Sequence, residues 1–179
     1  MSSIIEKNDK IIMSLSKDEI FKIEDKTEEI LDAFYGQSKI IPPVDLYKIL
    51  AKNKLELEYG DFGNPEVLGA LFRDERKIVV QYDTSLKRQL FTIAHELGHY
   101  SLHKHKEKDV YLRDVANLDD PTIKKEEQEA NWFAASLLMP KNAFMFFYRY
   151  NPSITFLSET FQVSQSAAFY RLQNIQALV

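Results

Sequence analysis

The segment Leu86-Lys87-Arg88-Gln89-Leu90-Phe91-Thr92-Ile93-Ala94-His95-Glu96-Leu97-Gly98-His99-Tyr100-Ser101-Leu102 contains no proline and a single glycine, Gly98. Leu86, Leu90, Ile93, Ala94 and Leu97 recur at helical spacing, and Asp83, Thr84 and Ser85 offer N-cap oxygens just ahead of them. The pattern predicts one helix over 86–102 lying on a core. All 4 histidines of the chain lie between His95 and His105. His95 and His99 are one helical turn apart, so both imidazoles stack on one face, where a single zinc ion at about 2.0–2.1 Å takes one ring nitrogen from each. Glu96 sits beside that pair, placed to take a proton from an attacking water and pass it to a leaving amine. The His-Glu-x-x-His arrangement points to zinc-dependent hydrolysis.

A catalytic zinc needs a third protein ligand and keeps its fourth position for water. The chain has no cysteine, and His103 and His105 fall at the end of the same helix. His103 is one turn past His99, at the rim of the expected pocket, where it serves either substrate or the helix macrodipole. A carboxylate from a second helix fits better. Residues 126–139, closed by Pro140, form that helix, with Ala130, Phe133, Ala134, Leu137 and Leu138 as its apolar stripe. Glu129 shares the stripe, with Phe133 and Leu137 one and two turns beyond it, so it is the predicted third ligand and Glu126 the reserve. Glu126 and Glu127 read first as acids that favour the N-terminal turn of a helix. Asn131 is a candidate partner that orients a ligand.

The run Phe91-Thr92-Ile93-Ala94-His95-Glu96-Leu97-Gly98-His99, followed by Leu102-His103 and later by Glu129-Ala130-Asn131-Trp132-Phe133-Ala134-Ala135-Ser136-Leu137-Leu138-Met139-Pro140, resembles the ImmA/IrrE-type metallopeptidases of bacteria and phages. The resemblance extends from about Ile41 to the end. It implies His95 and His99 as zinc ligands, Glu96 as general base, and the glutamate immediately before Ala-Asn, Glu129, as third ligand. It further implies a protein substrate, a helix-turn-helix repressor of a prophage, mobile element or stress response.

With 179 residues, 45% hydrophobic and 28% charged, the chain is expected to form one domain over 1–179, with 1–15 as a flexible lead-in. A net charge of −4 argues against direct binding of nucleic acid or an anionic membrane. The N-terminus has charges where a signal peptide needs an apolar core, and no run approaches the roughly 20 apolar residues of a membrane helix. Absence of cysteine excludes disulfides, thiolate zinc and cysteine catalysis, and accords with a cytoplasmic address. Oligomeric state is not legible.

Ser16-Lys17-Asp18-Glu19 reads as a capping box that opens a helix with Ile20, Ile23, Thr27, Ile30, Leu31 and Phe34 on one face and Gly36 as its stop. Pro42-Pro43 opens a second short helix over 44–51. Residues 55–59 and 71–82 read as strands, the latter a hairpin turning around Asp74-Glu75, giving a small antiparallel sheet. The fold class is α+β, a single zincin-like domain, mostly helical, with a C-terminal helix-turn-helix-like segment. An open sheet edge offers a place for an extended peptide. The polar stretch 104–125 joins the two motif helices and reads as a lid, and Tyr100, Tyr111 and Arg113 are candidate donors to an oxyanion.

At the C-terminus, 154–161 and 165–175 read as two helices with Ser164 capping the second, a unit that in other settings reads DNA. Arg171 is the single cation of the second helix, and Phe169, Leu172 and Ile175 suggest core contacts, so packing is the favoured role. The sequence thus ranks a cytoplasmic zinc endopeptidase, with one Zn²⁺ per chain, first. A non-proteolytic binding protein, toxin or antitoxin-like, that keeps the fold comes second, and a DNA-binding regulator third.

Overall fold

The computed structural model describes residues 15–36, 40–103 and 121–178. Its elements in chain order are α1 (Lys17–Tyr35), α2 (Leu46–Lys52), β1 (Glu56–Gly60), β2 (Gly69–Phe72), β3 (Lys77–Gln81), α3 (Leu86–Leu102), α4 (Pro121–Leu138), α5 (Lys141–Tyr150), α6 (Ile154–Phe161) and α7 (Gln165–Ala177). The α+β class is as expected. The predicted capping box opens α1: Ser16 Oγ accepts from the Glu19 N–H, and the Ser16 N–H donates to Glu19 Oε2 at 2.7 Å. Ile20, Ile23, Thr27 and Leu31 form its buried face, and Gly36 closes it at φ 60°, a conformation that suits a residue without Cβ. The second helix starts later than predicted. Asp45 caps it by accepting from the Lys48 N–H at 3.1 Å, so Val44 and Asp45 stay outside it.

The sheet has the order β1-β3-β2. The hairpin predicted around Asp74-Glu75 is β2–β3, antiparallel, with Ala70 opposite Val79 and Leu71 opposite Ile78. The expectation of a purely antiparallel sheet is corrected: β1 runs parallel to β3. After β1 the chain crosses to the far edge before the hairpin returns it through the middle, so β1 and β3 share a direction.

The core lies where the sheet, α3 and α4 meet. Residues Thr92 to His99 of α3 are all buried, so the middle of this helix is enclosed on every side. Ser85 caps it, accepting from the Arg88 N–H. Helix α4 begins at Pro121, five residues before the predicted start at 126, because proline at a first helical position already has helical φ and lacks only an N–H that would go unused. That shortens the predicted lid, and the part at 104–120, with Tyr111, Arg113 and His105, lies outside the described residues, as does the lead-in at 1–14.

A buried ion pair ties the ends of the chain to this core. Arg171 of α7 is 1% exposed and donates to Glu24 of α1 through Nη1 at 2.6 Å and Nη2 at 3.0 Å, while its Nε donates to the Met139 carbonyl. Glu24 Oε1 also accepts from Trp132 Nε1 and Ser136 Oγ of α4. Burial pushes the Glu24 carboxyl up, but the hydrogen bonds and charge of Arg171, helped by Ser136 and Trp132, outweigh it and hold the group below its ordinary value. The single cation of α7 is therefore spent inside the protein. α6 and α7 are joined by a short turn in which Gln162 adopts a left-handed conformation and Ser158 Oγ donates to the Val163 carbonyl.

Replacing Arg171 with methionine leaves Glu24 buried beside an apolar chain, and is expected to lower the unfolding free energy by about 3–5 kcal/mol in urea titrations at neutral pH. In the native chain the depressed Glu24 carboxyl contributes stability that is present above its unfolded value of 4.5 and lost as pH falls through its folded value. The wild-type and Arg171→Met curves should therefore converge in acid, and parallel curves would show that the pair is not responsible.

Candidate metal centre

The ring nitrogens of the His-Glu-x-x-His turn converge with one carboxylate. His99 Nε2 lies 3.0 Å from His95 Nε2 and 3.1 Å from Glu127 Oε1, and His95 Nε2 lies 3.4 Å from Glu127 Oε2. Ligands held about 2.0–2.1 Å from a tetrahedral zinc are about 3.3 Å from one another, so these three donors match one face of such a polyhedron. His95, His99 and Glu127 also form a His/Glu group of metal-ligating type within the described residues. The donor set fits zinc, being two imidazoles and one carboxylate.

Protonation states agree with ligation. Burial pushes the His99 imidazole down to about 4, with His95 and His103 adding to the effect and Glu127 opposing it, so the ring is neutral at pH 7, the form that binds metal. Burial alone would raise the Glu127 carboxyl, but the hydrogen bonds and charges of His95 and His99 hold it far below its ordinary value.

The third-ligand expectation fell on Glu129, and the structure places that carboxylate elsewhere. Glu129 Oε2 is 2.9 Å from His103 Nε2, behind His99. Helix phase is the reason: two residues turn the chain about 200° around the axis, so Glu127 and Glu129 face different ways. Glu127 instead shares a face with Asn131, one turn on, and Asn131 Oδ1 is 3.0 Å from His95 Nδ1. That contact puts a proton on Nδ1 and leaves Nε2 of His95 to face the metal position. Glu126, the reserve candidate, is outside the converging group.

Glu96 is 4% exposed and lines a cleft with His95, His99, Glu127, Asn131, Leu68, Gly69 and Arg88. Three of these, Leu68, Gly69 and Arg88, escaped sequence reasoning. A Cβ at Gly69 would overlap Thr92 Cγ2 and approach Glu96 Oε1 to 3.1 Å, so glycine lets β2 come close to the turn of α3 that carries Glu96. Gln81 N–H donates to the Leu68 carbonyl opposite. By antiparallel alternation Gly69 and Leu71 then turn their own N–H and C=O away from β3, toward the open edge beside the cleft. Arg73, also unanticipated, holds the last turn of α3 by donating to the carbonyls of His99, Tyr100 and His103 at 2.8–3.3 Å.

Tyr100, a candidate oxyanion donor, faces away from the cleft. Its hydroxyl accepts from Arg76 Nη2 at 3.1 Å, and the Arg73 guanidinium stacks 5.1 Å from its ring centre. It lines a separate cavity with Phe34 and Ile49. His103, expected at the rim, is buried at 9% exposure and hydrogen-bonded to Glu129.

The family model described as the IrrE N-terminal-like domain matches residues 52–173. The chain belongs to the ImmA/IrrE metallopeptidase family. It is 30% identical over 95 residues to a curated relative, metallopeptidase ImmA of Bacillus subtilis (strain 168), a match covering 53% of this chain and 54% of that one. Among solved structures it is similar to a transcriptional regulator of Mycobacterium tuberculosis, with a TM-score of 0.59 and 18% identity over 88% of this chain and 47% of that one. That likeness shows a shared fold. The chain spans about half the length of these two relatives.

Gly69→Ala is expected to cost about 1–3 kcal/mol of stability despite the better intrinsic preference of alanine, because Thr92 must move. Thr92→Ser removes the overlapping methyl, so the double variant should recover part of that loss in thermal or urea unfolding. Strict additivity would mean that the two residues do not meet.

Proposed function

We propose that this domain is a zinc-dependent endopeptidase, with His95, His99 and Glu127 as metal ligands and Glu96 as general base. The observation that carries the reading is the convergence of three side chains, with Nε2 of His95 and His99 3.0 Å apart and 3.4 and 3.1 Å from the two carboxylate oxygens of Glu127, joined on the same turn of α3 by the buried carboxyl of Glu96, which lines the same cleft. Zinc bound there supplies Lewis-acid polarisation of a carbonyl and a lowered pKa for water. Glu96 takes the proton of the attacking water and delivers it to the leaving amine. Asn131 fixes the ring of His95 as Glu96 works. An extended substrate segment adds to the edge of β2, where the outward N–H and C=O of Gly69 and Leu71 hold its backbone beside Glu96.

The peptidase family implies a protein substrate. We further propose that the substrate is a regulatory protein, a phage-type helix-turn-helix repressor, on the strength of the family resemblance, and that the chain works in the cytoplasm. No helix among the described residues is long and apolar enough to cross a membrane. Direct DNA binding by α6 and α7 is disfavoured because α6 has no cation and Arg171 of α7 is paired with Glu24.

Elemental mass spectrometry of the purified protein is expected to give one zinc per chain, lost in His95→Ala and in Glu127→Ala. Glu96→Gln should keep the zinc and lose about 10²–10⁴-fold of the cleavage of a proteome-derived peptide library, followed by mass spectrometry. Zinc-dependent products that persist in Glu96→Gln would remove Glu96 from the base role. No products from a zinc-loaded chain, on peptides or on folded repressors, would favour the non-proteolytic reading.

A further inference from the structure

Behind the metal position a line of hydrogen bonds runs from α3 back to α4. Nδ1 of His99 lies 3.1 Å from Nδ1 of His103, and Nε2 of His103 lies 2.9 Å from Glu129 Oε2. The exposed fraction is 2% for the His99 side chain and 6% for that of His103, so water has little access to compete. From these two contacts and the donor rules, we infer that Glu129 is a positioning residue that acts through His103 to present Nε2 of His99 to the metal.

The direction of each link is set by chemistry. A carboxylate offers only lone pairs, so Nε2 of His103 carries the proton and donates to Glu129. A neutral imidazole protonated at Nε2 keeps its lone pair on Nδ1, so His103 in that form accepts there. The partner at 3.1 Å must then donate, which puts the proton of His99 on Nδ1. The remaining lone pair of His99 is on Nε2, the atom that faces His95 and Glu127. Reversing any one link points an N–H of His99 at the place where a cation belongs. Asn131 performs the same task for His95 directly, because its Oδ1 accepts from Nδ1. For His99 the link to α4 runs through His103 to Glu129, a relay one residue longer.

This inference rests on the metal site proposed above and can fail separately from it. Zinc affinity is measured by competition with a chromophoric chelator, and coordination by the visible absorption of the cobalt-substituted protein, for the wild type, Glu127→Ala, Glu129→Ala, Glu129→Gln, His103→Ala and the Glu129→Ala/His103→Ala double variant. Glu129→Ala is expected to bind zinc about 10–100-fold more weakly with the cobalt spectrum of the wild type. Glu129→Gln, whose amide oxygen still accepts from Nε2, should recover most of that affinity. In the His103→Ala background, Glu129→Ala should change nothing further, since its effect passes through the missing ring. Circular dichroism of the metal-free variants confirms that each is folded, and a purely structural clamp would alter their melting without altering zinc affinity. An unchanged affinity in Glu129→Ala, or a full further loss in the double variant, would overturn the relay while leaving the site intact. A cobalt spectrum altered in Glu129→Ala and preserved in Glu127→Ala would make Glu129 the ligand and overturn both readings. Zinc binding indifferent to His95→Ala and Glu127→Ala alike would remove the site itself.

Discussion

The close passage of α4 over α3 at Gly98 is the constraint on which the site depends. A Cβ at Gly98 would come within 3.1 Å of Phe133 Cδ1 and 3.2–3.3 Å of the Ala130 backbone, so the two helices meet at main-chain distance. From that contact, Asn131 beside Ala130 and Glu127 one turn before it fall against the histidines: Asn131 meets His95, and Glu127 meets His99 and His95. A larger residue at Gly98 or Ala130 would lift α4 as a body, and because the carboxylate and the amide ride on the same helix, both contacts would open together. Short side chains are needed here for reach, since a glutamate spans only a few ångströms from its own Cα to the metal position.

A second set of contacts holds α4 from its opposite side. Glu24 binds Trp132 and Ser136 of α4 and Arg171 of α7, so α1 and the C-terminal helices are fastened to the back of the ligand-bearing helix. Three polar side chains share one carboxylate in a region where unpaired charge is costly, and such a network is strong only when each member is present. Helix α4 is thus held between the His95–His99 face of α3 and an ionic face at its back. The two clamps have different chemistry, and the one at the back does not depend on a cation to form.

This double burial explains what was legible in the sequence and what was not. The capping box at Ser16, the hairpin at Asp74-Glu75, the span of α3 and the apolar residues of α4 follow from local rules, because caps, turns and periodicity involve residues near one another in the chain. The choice between Glu127 and Glu129 does not. An apolar stripe marks a ligand face only when a helix has one buried side, and α4 buries Trp132 and Ser136 toward α1 as well as Ala130 and Phe133 toward α3. The better signal was the pairing of Glu127 with Asn131 at one-turn spacing, flanked by the small residues Ala130 and Ala134 that permit close approach. The crossover that makes β1 and β3 parallel was likewise hidden, since strand order is set by long-range packing that no short window records.

Charge gives the last step. Glu96 and Glu127 line one cleft, at 4% exposure for Glu96 and 18% for the Glu127 side chain, and His99 is neutral there at pH 7. The two carboxyl groups, set beside the neutral ring of His99 in a partly dry pocket, have lost much of their hydration. A doubly charged cation held by His95, His99 and Glu127 would offset carboxylate charge here and take up the lone pairs that the histidines turn inward. His99 backs this arrangement through His103 and Glu129, and His95 through Asn131. The electrostatics of the cleft and the hydrogen-bond directions behind it therefore ask for the same occupant, though they arise from different residues on opposite sides of the imidazole rings.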